Sequence, residues 1–529
     1  MGKYLNPGND AFRQAVNDDI YVDKTMLISC MNKKIDKESS KYVCVSRPRR
    51  FGKSMAANML AAYYSCGCNS EDIFAEYRIS AVDSYRKYLN KYDVIHFDVQ
   101  WCRGNVSSAL ETIPFIQEAV IGELCAVYPG TFADKVTNLS DALASVHNAT
   151  GRRFIIIIDE WDAIIRDEAE DEAAQRAYID FLRSMFKGNL PSAYLSLVYL
   201  TGILPMKKLN TQSALNNFDE FTMLDAGELA PYVGFTEEEV KGLCQTYHRD
   251  FNDIKRWYDG YVLEENLHVY NPRAVISSIT RGKLKSYWSM TGTYEAIVPF
   301  INMDFDGLKT DIIKMLSGES VYVSTKSYKN DMVRFKNKDD ILTLLIHLGY
   351  LAYDESRHKA FIPNEEIRSE FVEATDENRW NELIEIQHKS EALLKATLNM
   401  DSDAVADMVE EAHSRYTSII EYNDENALSC VISMAYYGAL KYYYLPVREM
   451  PAGRGFADLV FLPKRECPEM PAMLIELKWD QTADSAIKQI KERKYTEALE
   501  VYDGDILLIG LNYSKKRTRH ECVIEKVVK

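Results

Sequence analysis

The segment from Ser46 to Ser54, with the sequence SRPRRFGKS, constrains the fold of this chain more than any other feature. It lies between an apolar run typical of a strand, Tyr42 to Val45, and an apolar run typical of a helix, Met55 to Tyr64. Gly-Lys-Ser at a strand-to-helix junction is typical of a phosphate-binding loop. The segment therefore predicts an α/β domain with a nucleotide-phosphate site.

Each residue of the Gly-Lys-Ser triplet has a role in such a loop. Gly52 lets the backbone approach an anion, Lys53 reaches the outer phosphates, and Ser54 offers a hydroxyl group to Mg²⁺. The common pattern has glycine five residues before Gly52, where this chain has Arg47. The residues of the segment predicted to bind nucleotide are Arg50, Phe51, Gly52, Lys53, Ser54 and Met55.

The arginines beside the loop allow two interpretations. An arginine there could stabilise the charge of a transferred phosphoryl group. Alternatively, Arg47, Arg49 and Arg50 could pair with acids such as Asp162 and hold the shape of the loop. Arg50 is the one predicted to contact nucleotide.

A second motif, RFIIIIDEWD from Arg153 to Asp162, supports the first. Four consecutive isoleucines favour a strand buried on both faces, as in a parallel sheet. Ligands bind at the carboxyl ends of such strands. Asp159 is therefore predicted to hold Mg²⁺ and Glu160 to polarise the attacking water. The alternative is a buried strand capped by solvated acids.

Two more runs, Tyr92 to Val99 and Tyr194 to Leu200, predict strands of the same sheet. Thr201 ends the second run and could contact the γ-phosphate as a sensor of hydrolysis. An ordinary strand-ending Thr-Gly turn fits the residues equally well.

A second site is predicted near the other end of the chain. Asp458 opens one strand-like run, ADLVFL, while Glu476 and Lys478 end another, MLIELK. The period of two places Glu476 and Lys478 on the same face. If the runs pair, Asp458 and Glu476 can converge on Mg²⁺, with Lys478 orienting the nucleophilic water or stabilising phosphate charge. The alternative is a surface hairpin with an ordinary Glu/Lys pair.

Two further residues extend this prediction. Glu425 begins an apolar helical run and could provide a third carboxylate for the metal. Gln489 lies on the helix that follows the second strand and completes the predicted catalytic set.

Five segments together resemble a known family: RPRRFGKS, IIIIDEWDA, LTGI with Asn216-Asn217, WYDGY and YNP. The chain resembles the bacterial AAA-ATPase-like proteins that carry a C-terminal PD-(D/E)XK nuclease domain. The resemblance implies that Arg47 is a family trait, and that Trp161 replaces the usual tyrosine without affecting Asp159 and Glu160. It also implies a metal-dependent phosphodiesterase fold for the C-terminal region.

The expected fold class is α/β, with three parts. Residues 1–300 form an AAA-like P-loop ATPase domain, with a parallel sheet and a helical lid. Residues 301–414 form a small helical or winged-helix-like module, which contacts DNA or packs between the enzymatic parts. Residues 415–529 form a restriction-endonuclease-like α/β nuclease domain.

Charge and cysteine content restrict the partners and the compartment. The net charge of −16 argues against a generic polyanion-coating protein, whereas residues 415–529 carry equal numbers of basic and acidic side chains. Ten cysteines lack a pairing framework, which favours reduced thiols in a cytoplasm. No apolar run reaches the roughly 20 residues that span a bilayer, so no membrane association is expected.

These expectations lead to one main hypothesis and one alternative. The main hypothesis is an ATP-binding and ATP-hydrolysing protein coupled to a Mg²⁺-dependent nuclease, with Mn²⁺ as a possible substitute. DNA or RNA is its expected partner, in defence or mobile-element biology, and a protein partner or oligomer is open. The alternative is a nucleotide-gated binding or signalling switch whose nuclease fold is not catalytic.

Overall fold

The computed structural model of the protein divides into two compact units. It describes residues 2–132, 136–206, 215–264, 266–288, 305–329, 335–377, 381–416, 425–444, 446–452, 455–464, 467–495, 499, 502, 504–514 and 519–527. Unit 1 comprises Met1–Val298 and Tyr322–Glu370, and unit 2 comprises Pro299–Val321 and Phe371–Lys529. Residues 301–414, predicted as a separate module, are thus distributed over both units, and the three-part division stays a prediction.

The described strands and helices are numbered in chain order. The strands are β1 (Tyr42–Ser46), β2 (Asp93–Asp98), β3 (Phe154–Asp159), β4 (Leu195–Gly202), β5 (Asp219–Phe221), β6 (Phe235–Thr236), β7 (Tyr261–Leu263), β8 (Leu267–Tyr270), β9 (Val321–Tyr322), β10 (Ala352–Asp354), β11 (Lys359–Phe361), β12 (Val447–Ala452), β13 (Gly455–Phe461), β14 (Ala472–Trp479), β15 (Ile506–Ser514) and β16 (Arg519–Val527). The helices are α1 (Asp10–Val16), α2 (Met26–Asn32), α3 (Lys53–Tyr64), α4 (Glu71–Phe74), α5 (Tyr85–Tyr88), α6 (Val99–Gly104), α7 (Thr112–Val127), α8 (Leu139–Thr150), α9 (Ala163–Asp167), α10 (Glu172–Phe186), α11 (Asn189–Tyr194), α12 (Glu237–Thr246), α13 (Phe251–Tyr258), α14 (Pro272–Arg281), α15 (Leu308–Leu316), α16 (Lys338–Leu348), α17 (Glu365–Glu377), α18 (Asn381–Leu398), α19 (Ser402–Tyr416), α20 (Glu425–Ala435) and α21 (Ala483–Glu492).

Unit 1 is organised around a five-stranded parallel sheet with the order β2-β3-β4-β1-β5. Every residue of β1, β3 and β4 is buried, which explains why these strands have continuous apolar sequences without alternation. The expected α/β fold with a parallel sheet is confirmed. β4 lies between β1 and β3, the two strands that end in the nucleotide motifs.

The register of this sheet aligns the strand ends that carry polar residues. Val45 pairs with Thr201, and Asp98 pairs with Asp159. Because all the strands run in the same direction, their carboxyl ends form one edge, where ligands bind in open α/β sheets. This edge is the part of unit 1 that positions the first site.

A smaller layer of unit 1 follows the parallel sheet in sequence. It contains α12, α13 and α14 with the antiparallel sheet β6-β8-β7. Thr236 begins α12 with a capping box, accepting from the Glu239 backbone N–H while the Glu239 side chain accepts from the Thr236 N–H. Tyr258 and Tyr261 are buried in this part of unit 1.

Unit 2 contains a mixed sheet with the order β12-β13-β14-β15-β16. β14 and β15 are parallel, whereas the other neighbouring pairs are antiparallel. Helices α18, α19 and α20 pack on one side of this sheet in a core that includes Leu393, Val409 and Ile432. The mixed sheet is consistent with the expected nuclease fold, while the winged-helix assignment stays a prediction.

Candidate functional sites

The loop between β1 and α3 has the backbone geometry of an anion cradle. Gly52 has a φ of 90° and Arg50 a φ of 67°, so two positions of this loop adopt the left-handed region. Lys53 is the first residue of α3, whose amino-terminal N–H groups face the loop. A Cβ atom added at Gly52 would meet no atom within 4 Å, so the space in front of Gly52 is open. This geometry fits the approach of a phosphate to the backbone.

The Lys53 amine lies inside the protein and contacts both motifs. Its Nζ donates to the Pro48 carbonyl oxygen at 3.0 Å and lies 3.8 Å from Glu160 Oε1. Burial lowers the pKa of Lys53, and the nearby carboxylates of Glu160 and Asp159 oppose this shift. Lys53 is 4% exposed, so an incoming phosphate would have to reach an amine that already bonds its own loop.

The acids predicted from the isoleucine strand lie at the carboxyl end of β3. Asp159 accepts hydrogen bonds from the Thr201 hydroxyl group and from the Glu160 backbone N–H. Glu160 has a φ of 50°, which turns the chain sharply after the strand. The structure therefore brings Lys53, Asp159, Glu160 and Thr201 together at one sheet edge.

A buried ion network extends from Glu160. Arg166 on α9 lies 3.1 Å from Glu160 Oε2 and 3.2 Å from Asp162 Oδ1, and its side chain is 0% exposed. Asp162 also accepts from the backbone N–H groups of Ile203 and Leu204. Burial alone would raise the pKa of Glu160, but Lys53 and Arg166 outweigh it and lower this pKa. Burial raises the pKa of Asp162.

The arginines beside the loop have different environments. Arg47 is 0% exposed and donates to the carbonyl oxygens of Ser46 and Phe221, and burial lowers its pKa to about 10. Arg50 donates from Nη1 to the Tyr287 carbonyl oxygen at 2.7 Å. Asp162, named as a partner for these arginines, bonds Arg166 instead.

The peptide group of Tyr287 connects this loop to α17. Its N–H donates to Glu366 Oε1 at 2.7 Å, while its carbonyl accepts from Arg50. The Trp288 N–H donates to the same Glu366 oxygen at 3.0 Å. Burial raises the pKa of Glu366 to about 7, although both N–H groups oppose the shift.

An apolar cavity opens beside the phosphate loop. Phe51, Gly52 and Met55, predicted to bind nucleotide, contribute to its wall. The remaining lining residues include Tyr21, Val22, Tyr232, Phe235 and Ile276. Ser54 is exposed in the first turn of α3.

The predicted carboxylates of unit 2 lie on paired strands. β13 and β14 are antiparallel, with Leu459 opposite Ile475, so the next positions along the strands are Asp458 and Glu476. Asp458 Oδ2 accepts from the Leu477 backbone N–H at 2.7 Å. Glu476 is 1% exposed, and its Oε1 accepts from Lys478 Nζ at 2.8 Å. The structure thus brings Asp458, Glu476 and Lys478 together.

Gln489 belongs to the same group. It lies on α21, and its Nε2 donates to Glu476 Oε1 and, at 3.2 Å, to the Tyr495 hydroxyl oxygen. Glu425 is the first residue of α20, but its side chain lies outside the described part of the structure. Its assignment as a metal ligand stays a prediction.

Comparisons with known protein families match the region that contains the phosphate loop and the region that contains the β13–β14 carboxylates. A profile of the family described as "Predicted AAA-ATPase" matches residues 8–211, and a profile of the PD-(D/E)XK nuclease superfamily matches residues 423–522. The chain joins an AAA-ATPase-like domain to a PD-(D/E)XK nuclease domain. The resemblance identified from the sequence is confirmed.

One curated relative is an uncharacterized protein in the vnfD 5′ region of Azotobacter chroococcum mcd 1. It is 25% identical over 296 residues, which cover 54% of this chain and 53% of the relative. The match thus spans about half the length of that relative, which has no described activity.

Among solved structures, the Aeropyrum pernix ORC2 protein in ADPNP-ADP complexes is 12% identical, with a TM-score of 0.31, over 68% of this chain and 96% of that one. The Aeropyrum pernix ORC1 protein in complex with DNA is 10% identical, with a TM-score of 0.25, over 72% of this chain and all of that one. TM-scores this low support no conclusion on function.

The AAA-ATPase-like domain contains functional candidates that the sequence did not reveal. Arg166 follows Asp162 by four residues, a spacing that brings two side chains together on a helix, and this spacing was its only signal. The cavity wall is assembled from the amino-terminal segment, α3 and α14, which are far apart in sequence. Its residues share no local pattern.

No described helix of the protein is long and apolar enough to cross a membrane. The described cysteines are free thiols.

Proposed function

We propose that the protein binds and hydrolyses ATP in its AAA-ATPase-like domain and cleaves nucleic acid with its PD-(D/E)XK domain. The observation that carries the proposal is the convergence of Asp458, Glu476 and Lys478 on the β13–β14 pair. A surface hairpin with an ordinary ion pair does not account for a glutamate that is 1% exposed and bonded by both Lys478 and Gln489.

In the nuclease domain, the residues fit a hard divalent cation. Asp458 and Glu476 offer the carboxylate oxygens that Mg²⁺ prefers. When bound, Mg²⁺ or Mn²⁺ would supply an activated water and stabilise charge on the phosphate. Lys478 and Gln489 hold the Glu476 carboxylate in one orientation through hydrogen bonds to the same oxygen. Lys478 also brings a positive charge that would stabilise the phosphodiester.

In the AAA-ATPase-like domain, the residues fit a nucleoside triphosphate with Mg²⁺. The open space at Gly52 would accept a phosphate, and Lys53 would exchange the Pro48 carbonyl for phosphate oxygens. Ser54 and Asp159 are the proposed ligands of Mg²⁺, which would neutralise the phosphates when bound. Glu160 would orient the attacking water, and Thr201 holds Asp159 in place. The apolar cavity beside the loop would take the base of the nucleotide.

We further propose that ATP binding controls access of nucleic acid to the nuclease site. DNA and RNA are both open as substrates, and defence or mobile-element biology is the proposed setting. The presence of an AAA-ATPase-like domain and a PD-(D/E)XK nuclease domain in one chain supports this proposal.

The nuclease proposal is tested by replacing Glu476. Wild type and Glu476→Gln are incubated with plasmid, single-stranded DNA and RNA, with Mg²⁺ or Mn²⁺, with and without ATP. Cleavage by wild type should require the metal and fall at least about 100-fold in the variant, since a metal ligand matters more than an outer-sphere residue.

The control is Glu492→Gln, which changes an exposed glutamate on α21 paired with Lys488 at 3.6 Å. It should cleave like wild type. If wild type cuts none of the substrates under any condition, the nuclease proposal is wrong, and a nucleotide-gated switch with a non-catalytic nuclease fold becomes the better account.

The ATPase proposal is tested by Lys53→Ala, with Lys41→Ala as the matched control. Both lysines are buried, but Lys41 precedes β1 and bonds Ser192 and Glu38 at the opposite end of the strand. Titration with a fluorescent ATP analogue should detect binding to wild type and Lys41→Ala only. Equal binding by folded Lys53→Ala would refute the loop assignment.

A further inference from the structure

Unit 2 contains a second group of metal-capable side chains, separate from the carboxylates on β13 and β14. Glu410 and His413 lie on α19, and His520 lies on β16. One ligand atom from each residue lies within 4.8 Å of the others. His413 and His520 are 5% and 1% exposed, so the group is largely enclosed by protein.

The hydrogen bonds of His520 determine which of its nitrogens can ligate a metal. Its Nδ1 lies 2.9 Å from the Asn512 carbonyl oxygen. A carbonyl can only accept, so Nδ1 carries the proton and Nε2 has a lone pair. This Nε2 points at His413 Nδ1, 2.8 Å away. A histidine whose far nitrogen donates to a backbone carbonyl is the usual arrangement in metal sites, because that bond fixes the ring and the tautomer.

The distances between the ligand atoms are close to those of a metal polyhedron. A tetrahedral zinc ion with bonds of about 2.0–2.1 Å separates its ligand atoms by about 3.3–3.4 Å. His520 Nε2 lies 2.8 Å from His413 Nδ1 and 3.8 Å from Glu410 Oε2, which bracket this value. The third pair, Glu410 and His413, also has ligand atoms within 4.8 Å of each other. His413 would present its Nδ1 lone pair by holding its proton on Nε2.

The charged side chain of the group is Glu410. Arg519, the residue before His520, lies 3.5 Å from Asp407 and shares its charge with that carboxylate.

A comparable group in unit 1 provides the contrast. Glu237, Asp259 and His268 also lie within reach of one another. There, however, Lys241 and Lys255 each lie 2.6 Å from Glu237, and their hydrogen bonds lower its pKa to about 2. Two ammonium groups already compensate these carboxylates, so this group is an ion-pair network.

We propose that Glu410, His413 and His520 form a binding site for a divalent transition-metal ion of the zinc class. The two nitrogens and one carboxylate oxygen are a ligand set suited to zinc rather than to magnesium. Three protein ligands leave the fourth position of a tetrahedral ion to water. Because the ligands come from two elements, the ion fastens α19 to the edge strand β16. Tyr513 packs against both rings, with centroids 4.6 and 5.0 Å away, and encloses the site.

The experiment uses the full chain after treatment with a chelator. Titration with ZnCl₂ is followed by calorimetry, and Co²⁺ is used as a spectroscopic substitute. Wild type should bind one equivalent of Zn²⁺ and melt several degrees higher with it. Co²⁺ should give the visible absorption of a tetrahedral site without the near-ultraviolet bands of thiolate ligands, since the ten cysteines are the competing ligands.

Two ligand variants and one matched control complete the test. His413→Gln and Glu410→Gln should each weaken Zn²⁺ binding at least about tenfold and abolish the rise in melting temperature. His268→Gln, in the ion-pair network of unit 1, should bind like wild type. Far-ultraviolet circular dichroism confirms that each variant is folded. Absence of stoichiometric binding by wild type, thiolate bands with Co²⁺, or equal binding by folded His413→Gln and Glu410→Gln would each overturn the proposal.

Discussion

The two candidate phosphate sites of this protein differ in how many charges they bring together. At the edge of the parallel sheet, Lys53 and Arg166 both lie near the Glu160 carboxylate. Arg166 also pairs with Asp162 and Asp167. On the β13–β14 pair, Glu476 is instead held by one ammonium group and one neutral amide. The first site is a buried network in which Asp162 depends on Arg166 for its compensating charge, whereas the second depends on a few local hydrogen bonds.

The two sites also differ in their assembly. The first requires residues from α3, β3, β4 and α9, brought together by the parallel register of the strands that precede them. The second requires two neighbouring strands and the helix that follows them. We therefore expect changes at the first site to affect stability and changes at the second to affect mainly activity.

The largest effect should follow from Arg166→Ala. This variant leaves the buried carboxylate of Asp162 without its cation and Glu160 with Lys53 alone, which should lower the free energy of unfolding by about 3–5 kcal/mol. Arg183→Ala, which removes an exposed pair with Asp180 on α10, should cost no more than about 1 kcal/mol. Urea unfolding followed by circular dichroism measures both. If the two variants lost the same free energy of unfolding, the first site would not be a stability-determining ion network.

The second effect concerns pH. Burial raises the pKa of Glu366 to about 7, above the value of about 4.3 expected for an unfolded glutamate. The folded state therefore binds more protons between these values, and stability falls as pH rises from about 4.5 through 7. Relative to Glu366→Gln, wild type should lose up to about 3 kcal/mol over this interval. The measurement is the melting temperature of both proteins between about pH 4.5 and pH 8. If the two melting temperatures change by the same amount over this interval, the prediction is wrong.

The third effect isolates the amide of the second site. Gln489→Leu removes a hydrogen bond to Glu476 but leaves the carboxylates and Lys478 in place. Cleavage should fall about 10–100-fold, or about 1.4–2.7 kcal/mol, with little change in melting temperature. Lys488→Ala, one residue earlier on α21 and exposed, is the control. If Gln489→Leu lost much stability but cleaved like wild type, the expectation that changes at the second site affect mainly activity would be wrong.

The smallest effect concerns the backbone of the phosphate loop. Gly52→Ala places a Cβ on a left-handed residue, which should cost about 1–2 kcal/mol although no atom obstructs it. Gly122→Ala, in the interior of α7 and equally unobstructed, should stabilise by about 0.5–1 kcal/mol. Thermal melts and ATP titrations of both variants test whether the left-handed conformation matters for folding and binding. If both variants changed the melting temperature in the same direction, the left-handed conformation of Gly52 would not explain the effect.

The sequence predicted what is local. The four isoleucines predicted the buried strand β3, and the period-two spacing predicted that Glu476 and Lys478 lie on one face. Both predictions depend only on residues that are close in sequence. The partner of Asp162 was not predicted, because the sequence placed Arg47 and Arg49 near the loop and gave no reason to prefer Arg166. The buried partners of Arg47 and the insertion of β4 between β1 and β3 depend on tertiary packing, which no local pattern encodes.

The peptide of Tyr287 has a consequence for motion. One of its polar atoms bonds Arg50 in the phosphate loop and the other bonds Glu366 at the beginning of α17. The loop cannot shift far without either breaking these bonds or pulling a helix that begins more than three hundred positions further along the chain. These two hydrogen bonds in series thus limit how far the loop can move independently of α17.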